Sequence, residues 1–174
     1  MPSDPEVADC TASPTVVWPL PATDRRPSFI ALRAIPESVV RGRRFASDVV
    51  SGHTLDDDHA YMIRLLVSEL LTNALNAASA LRKWPYDAWP LRLDVAACNR
   101  WTYLAVTDPD HRPLPASFVS GLEAEHGRGL AIVDQVAVVR WITYAGHSKT
   151  VHVVIAAPGV TMTAAELKQI GAPA

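Results

Sequence analysis

The most strongly patterned stretch of the chain lies between Leu65 and Ala78. Leucine, valine and alanine recur there at three- and four-residue spacing and cover most of the circumference of a predicted helix. Such a helix is expected to be covered by other elements. Glu69 and Asn73 lie one turn apart on one face of it. Because polar groups on a buried helix are costly unless paired, they form either a satisfied core pair or part of a site.

Shorter patterns on either side predict the remaining elements. Strict alternation of apolar and polar residues over 91–95 predicts a half-buried strand, and the turn at Asn99 joins it to the strand at 101–107 as an antiparallel hairpin. The predicted strands are 29–35, 91–95, 101–107, 138–144 and 150–156, and the other helices are 36–51, 127–135 and 163–170, with at most a short one near 116–122. This order predicts an α+β protein, a two-layer α/β sandwich with a mixed, mainly antiparallel sheet.

The density of proline changes sharply along the chain. Six of the 14 prolines lie in the first 27 residues, which disfavours regular structure there, so residues 1–28 are predicted to be a flexible tail. Residues 29–157 are expected to form the domain, and residues 158–174 a short C-terminal extension. The proline-rich segment after Asp108 is expected to be a linker.

Composition narrows the class of protein. A net charge of −2 gives no reason to expect direct binding to nucleic acid. Two cysteines are too few for a disulfide framework, and no apolar segment reaches the roughly 20 residues that span a membrane. A cytoplasmic protein without a membrane segment is the expectation.

Three further features could contribute chemistry, and each has a simpler interpretation. Asp108 at a strand end could accept a hydrogen bond from an exocyclic amine, or could merely start a turn. Gly127 and Gly129 at the start of an apolar helix could admit a phosphate, although two glycines form a weak motif. Lys149-Thr150 enters the last long strand, where the Thr150 hydroxyl could contact a purine or be an ordinary strand residue.

Together these features stand in a recognisable order: Glu-x-x-x-Asn on a helix, Asp after a hairpin, Gly-x-Gly-Leu opening a helix, and Lys-Thr entering the last long strand. The series resembles the Bergerat-fold ATP-binding domain shared by sensor histidine kinases, heat-shock chaperone ATPases, DNA gyrase and mismatch-repair ATPases. Within that superfamily it is most similar to the anti-sigma-factor serine kinases of actinobacteria. The stretches 68–78, 106–113 and 126–133 account for the similarity, which extends over residues 30–157. The resemblance implies a sheet covered on one face by helices.

The resemblance also implies a role for each residue of the series. ATP and Mg²⁺ would be the cofactors, with Asn73 as the metal ligand and Glu69 as the catalytic base or orienter of the attacking hydroxyl. Asp108 would bind the adenine amine. The remaining cofactor-binding residues would be Gly127, Arg128, Gly129 and Leu130 around the phosphates, and Thr150 on the adenine side.

The family resemblance implies a serine/threonine kinase that sequesters a sigma factor and phosphorylates an anti-sigma antagonist, and a homodimer would fit it. Two positions depart from the family pattern: Asp110 replaces a glycine, and Ala77 stands where a histidine is frequent. The Asp110 charge near the base favours an alternative, a nucleotide-responsive binding switch without kinase turnover. A structural interaction domain with a vestigial pocket is the third hypothesis.

Overall fold

The computed structural model describes residues 27–53, 56–81, 90–112 and 128–173, which form one five-stranded sheet and four helices. The elements are β1 (Ser28–Leu32), α1 (Glu37–Val50), α2 (Asp57–Leu81), β2 (Leu91–Ala97), β3 (Trp101–Asp108), α3 (Arg128–Val136), β4 (Val139–Ala145), β5 (Ser148–Ala156) and α4 (Ala164–Ile170). Their order confirms the predicted α+β class. The expected short helix near 116–122 and nearly all of the expected tail lie outside the described residues.

The strands are arranged in the order β1-β2-β3-β5-β4, and each neighbouring pair is antiparallel. The described strands therefore contain no parallel pair, and the sheet is more uniform than the mixed one predicted. In the register of β3 with β5, Asp108 lies opposite Lys149, and Thr107 lies opposite Thr150. Because side chains alternate along a strand, these two adjacent pairs point to opposite faces of the sheet.

Three helices cover one face of the sheet, as expected. α2 buries residues at helical spacing, and they pack with alternate residues of β2, β3 and β5. The members from α2 are Ile63, Leu66, Val67, Leu70, Leu71, Ala74 and Ala78. Asp56 caps α2, because its side chain accepts a hydrogen bond of 2.7 Å from the His59 N–H. None of the described helices has the length and apolar character needed to cross a membrane.

α1 approaches α2 closely at Gly42. A Cβ atom built on Gly42 would collide with the Leu71 side chain, which is itself buried in the core. The absence of a side chain at Gly42 therefore lets the two helices come together. This contact fixes α1 beside the middle of α2, where the candidate residues lie.

The opposite face of the sheet has a smaller apolar cluster and a buried polar network. Ile170 of α4 packs with Tyr103 and Val154, so α4 covers one end of this outer face. Hydrogen bonds of 2.7 Å join the two ring nitrogens of His152 to the hydroxyls of Tyr103 and Thr143. Burial lowers the pKa of His152 to about 4, which keeps the ring neutral near pH 7.

Candidate functional site

Glu69 and Asn73 lie at the rim of the buried face of α2. Both side chains are half-buried, whereas Leu66, Leu70 and Ala74 beside them are buried in the core. Helical periodicity sets the two polar side chains on one stripe, next to the apolar stripe that contacts the sheet. The predicted pair is therefore held on a rigid, well-packed helix.

The Asn73 side chain is incompletely hydrogen-bonded. Its amide nitrogen is buried, and no residue in the described parts of the chain gives it a partner. A buried polar group without a partner costs about 1–3 kcal/mol, which favours a ligand at this position. Rotation of the amide exchanges its oxygen and nitrogen, so the same position can present an oxygen to a cation.

A basic side chain of the adjacent helix contacts α2 at the residue before Glu69. A guanidinium nitrogen of Arg43 in α1 donates a hydrogen bond of 3.2 Å to the Ser68 hydroxyl, and Ser68 donates one of 2.8 Å to the Arg64 carbonyl. This places a cation one residue from Glu69 along the helix. Within the described residues, Glu69 itself makes no ion pair. No pattern in the sequence predicts that Arg43 reaches α2, because the contact depends on the helix crossing at Gly42.

Asp108 is buried at the end of β3, on the face of the sheet that the helices cover. Its Oδ1 accepts a hydrogen bond of 3.0 Å from Lys149 Nζ and one of 2.8 Å from the Asp110 N–H. The second bond closes an Asx turn, so the turn-forming interpretation of Asp108 is correct. Both bonds go to Oδ1, and no described residue donates to Oδ2, so the carboxyl group can still accept a hydrogen bond from a ligand.

Lys149 is a site residue that sequence reasoning missed. Its side chain is only 5% exposed, and besides Asp108 it donates a hydrogen bond of 2.9 Å to the Asp110 carbonyl. The signal was present in the sequence: Lys149 shares the parity of Val151 and Val153 in β5, and both valines lie in the helix-facing core. The same alternation predicts that Lys149 points inward.

Asp110 has its charge balanced by neighbours. Arg112 donates hydrogen bonds of 2.7 and 2.8 Å to its carboxylate, and Lys149 Nζ lies 3.7 Å from Asp110 Oδ2. Hydrogen bonding from Arg112 lowers the pKa of Asp110 to about 2. The surplus of negative charge expected near the adenine base is therefore offset. The carboxylates of Asp108 and Asp110 are balanced by the cations of Lys149 and Arg112.

Burial is the largest effect on Asp108 and raises the pKa of its carboxyl group. The charge of Lys149 and the hydrogen bonds from Lys149 and the Asp110 N–H lower that pKa. Lys149 therefore favours the ionised form of Asp108.

Thr150 is not brought together with Asp108. Its hydroxyl lies 2.8 Å from the hydroxyl of Thr107, on the outer face of the sheet. In this arrangement the Thr150 side chain faces away from the helix layer. Its assigned contact with the adenine side remains a prediction.

The predicted phosphate segment is described only in part. Gly127 lies outside the described residues, whereas Arg128, Gly129 and Leu130 form the first turn of α3. The N–H groups of a first helical turn lack partners within the helix and suit an anion. α3 packs on the helix-facing core through Val133, which is fully buried.

The described residues can supply one ligand to Mg²⁺ and one hydrogen-bond acceptor to the base of ATP. The described part of the chain holds no cluster of three or more His, Cys, Asp or Glu side chains suited to a metal. Mg²⁺ in nucleotide sites usually takes one or two protein ligands and completes its shell with phosphates and water. The unpartnered Asn73 amide offers one such ligand, and Asp108 offers an acceptor for a base.

Comparisons with known proteins give the family and the fold of the chain. The model of the histidine kinase-like ATPase domain family matches residues 32–155. No protein of curated function matched the sequence. A structure of the RsbU and RsbW domains of Rv1364c from Mycobacterium tuberculosis is similar in fold, with a TM-score of 0.56 and 15% identity. The match covers 80% of this chain, which spans only 35% of that one.

Two histidine kinases show weaker similarity. AdeS of Acinetobacter baumannii has a TM-score of 0.44 and 13% identity over 78% of this chain and 70% of its own. The blue-light activated kinase of Erythrobacter litoralis EL346 has a TM-score of 0.40 and 17% identity, covering 82% and 70%. The family match extends over most of the chain and includes Glu69, Asn73, Asp108 and Thr150. The chain therefore belongs to the family of histidine kinase-like ATPase domains.

Proposed function

We propose that this protein binds ATP with Mg²⁺ and acts as a serine/threonine kinase of the anti-sigma-factor type. In this role it sequesters a sigma factor in the cytoplasm and phosphorylates an antagonist protein. The observation that supports the proposal best is on α2, where a buried amide without a described partner lies one turn from a carboxylate. A ligand with both a cation and a transferable group would use both side chains.

Each residue has a distinct duty in the proposed reaction. Asn73 holds the metal ion, which when bound neutralises charge on the phosphates. Glu69 accepts the proton of the attacking serine hydroxyl or orients that hydroxyl. Asp108 accepts a hydrogen bond from the base through Oδ2. The first turn of α3 directs backbone N–H groups toward the phosphates.

A second candidate function is a nucleotide-responsive binding switch without phosphate transfer. It uses the same ATP site as the first candidate. The two candidates differ only in the role of Glu69, which has no catalytic role in the switch. In its favour, no described side chain orients Glu69 through an ion pair, whereas catalytic bases are usually held by a third group. Phosphate transfer to a candidate antagonist separates the two functions.

Calorimetric titration with ATP tests the shared part of the proposal. The wild type should bind ATP with Mg²⁺ and lose most of that affinity in chelator. Asn73→Ala should lose most of the affinity together with the dependence on Mg²⁺. Asn76→Ala, an exposed asparagine on the same helix, is the matched control and should behave as the wild type. Equal affinity for ATP in chelator and in Mg²⁺ would remove Asn73 from its assigned role.

A further inference from the structure

The polar groups at the end of β3 leave one acceptor unused. Asp108 Oδ1 receives both hydrogen bonds, from Lys149 Nζ at 3.0 Å and from the Asp110 N–H at 2.8 Å. Two bonds to one oxygen fix the plane of the carboxyl group as well as its position. Oδ2 is therefore held in one direction without a described donor of its own.

Lys149 has little capacity left for a ligand. An ammonium group has three N–H donors, and two of them bond to Asp108 Oδ1 and to the Asp110 carbonyl. The Asp110 carboxylate lies 3.7 Å away and attracts the remaining side of the ammonium. The cation is thus directed at protein acceptors, although it is buried on the same face as the candidate site.

We propose that Lys149 is a positioning residue that sets the base preference of this site. It holds Asp108 ionised and turned, so that Oδ2 accepts a hydrogen bond from the exocyclic amine of adenine. Because two of its three donors are bonded and the third side faces the Asp110 carboxylate, it is turned away from the 6-oxo group of guanine or hypoxanthine. This inference rests on the proposed binding of ATP.

The electrostatic surroundings support this division of roles. The charged groups of the described residues that face Asp108 are Lys149 from β5 and Asp110 from the segment after β3, and Arg112 in turn binds Asp110. Burial raises the pKa of Asp108, and Lys149 lowers it. Without Lys149 the buried carboxyl group would take up a proton more readily, and the free oxygen would become a poorer acceptor.

The test replaces Lys149 with methionine, which keeps the length of the side chain and removes its charge. Lys168→Met on α4, outside the site, is the matched control. Carboxyl ¹³C NMR should show Asp108 titrating at higher pH in Lys149→Met than in the wild type. Affinity for ATP at neutral pH should fall about 10- to 100-fold, the usual value of a hydrogen bond to a charged group. The preference for ATP over inosine triphosphate should shrink, and the affinity for ATP should recover as pH rises.

A second measurement uses the unsubstituted protein, in case the variant fails to fold. When ADP binds, the ¹⁵N chemical shift of the Lys149 ammonium should stay unchanged, while the ¹³C chemical shift of the Asp108 carboxyl group should change. If ADP moved the lysine resonance and left the carboxyl resonance unchanged, the inference would be wrong.

The outcomes distinguish this inference from the proposed function. Wild-type protein that binds neither ATP nor ADP would overturn the proposed function. It would also overturn the proposed effect of Lys149 on the preference for adenine. ATP binding by the wild type with an unchanged base preference and pH profile in Lys149→Met would overturn only the inference. In that case Lys149 would be a structural partner of Asp108.

Discussion

Four charged side chains bind one another at the end of β3: those of Asp108, Lys149, Asp110 and Arg112. On α2, by contrast, the side chains of Glu69 and Asn73 have no hydrogen-bond or ion-pair partner among the described residues. The charges of the first group are paired within the protein, and only Asp108 Oδ2 is left without a described donor. The second is left incomplete at the rim of a rigid helix. Substitutions at the β3 end should therefore affect folding as well as adenine binding, whereas substitutions on α2 should affect ligand chemistry with little effect on folding.

The largest expected effect tests the α2 side of this comparison. Glu69→Gln should reduce phosphate transfer to a candidate antagonist by about 10²–10⁴-fold, the usual contribution of a positioned base. The affinity for ATP should stay within a few-fold of the wild type, because Glu69 is not assigned a binding contact. The free energy of unfolding should stay within about 1 kcal/mol of the wild type, because the Glu69 side chain has no described partner. Radiolabelled phosphate incorporation measures the first quantity.

Glu37→Gln, at an exposed position in the first turn of α1, is the control for that experiment. Transfer that survives in Glu69→Gln would exclude Glu69 as the base. Wild-type protein that binds ATP and transfers no phosphate would favour the switch.

The next effect tests the β3 end. Asp108→Asn leaves the buried ammonium of Lys149 without its closest carboxylate, and breaking a buried ion pair in this way costs about 3–5 kcal/mol. Urea unfolding should show this loss in the absence of nucleotide. Adenine nucleotides should also bind less tightly.

Asp134→Asn is the matched control, because Asp134 pairs with Arg140 near the surface. Exposed ion pairs contribute about 0–1 kcal/mol, so the control should lose far less stability. Equal losses in the two variants would contradict the view that the β3 end is part of the fold.

The third and smaller test is the loss of stability in acid that the buried ring of His152 causes. His152 lies on the outer face of the sheet, away from the β3 end and from the α2 pair, so this loss should be independent of both. Its pKa is about 4 in the folded chain and near 6.5 when exposed, so the unfolded state binds the proton first as pH falls. Stability should therefore be fully present above pH 6.5 and decline by about 3 kcal/mol toward pH 4. Urea unfolding between pH 7 and pH 4 measures this loss.

His152→Gln should flatten that decline, since glutamine keeps hydrogen-bonding groups and does not titrate in this range. The pKa of Asp110 is about 2, so stability from its pairing with Arg112 is lost only below pH 3.8. A decline between pH 6.5 and pH 4 that persists in His152→Gln would place an acid-sensitive group elsewhere.

The pattern of the sequence was sufficient for most of the fold. The spacing of apolar residues in α2 and the alternation in β2 are local patterns, and the structure confirms these elements. The site was harder to predict, because Asp108 and Lys149 are 41 residues apart in sequence and meet only through the register of β3 with β5. A shift of that register by one residue would turn Thr150 inward and Lys149 outward. The alternation with Val151 and Val153 favours Lys149 as the inward residue, but only the strand register shows that it meets Asp108.

The short helix α4 has a consequence for the solubility of shortened forms of the protein. Its seven residues are too few for a helix that persists alone in water, even with the capping box of Thr163 and Glu166. α4 therefore depends on the sheet, and the sheet uses Ile170 to cover Tyr103 and Val154. A chain ending at residue 157 would keep every residue of the helix-facing core and expose an aromatic patch on the outer face, which favours self-association.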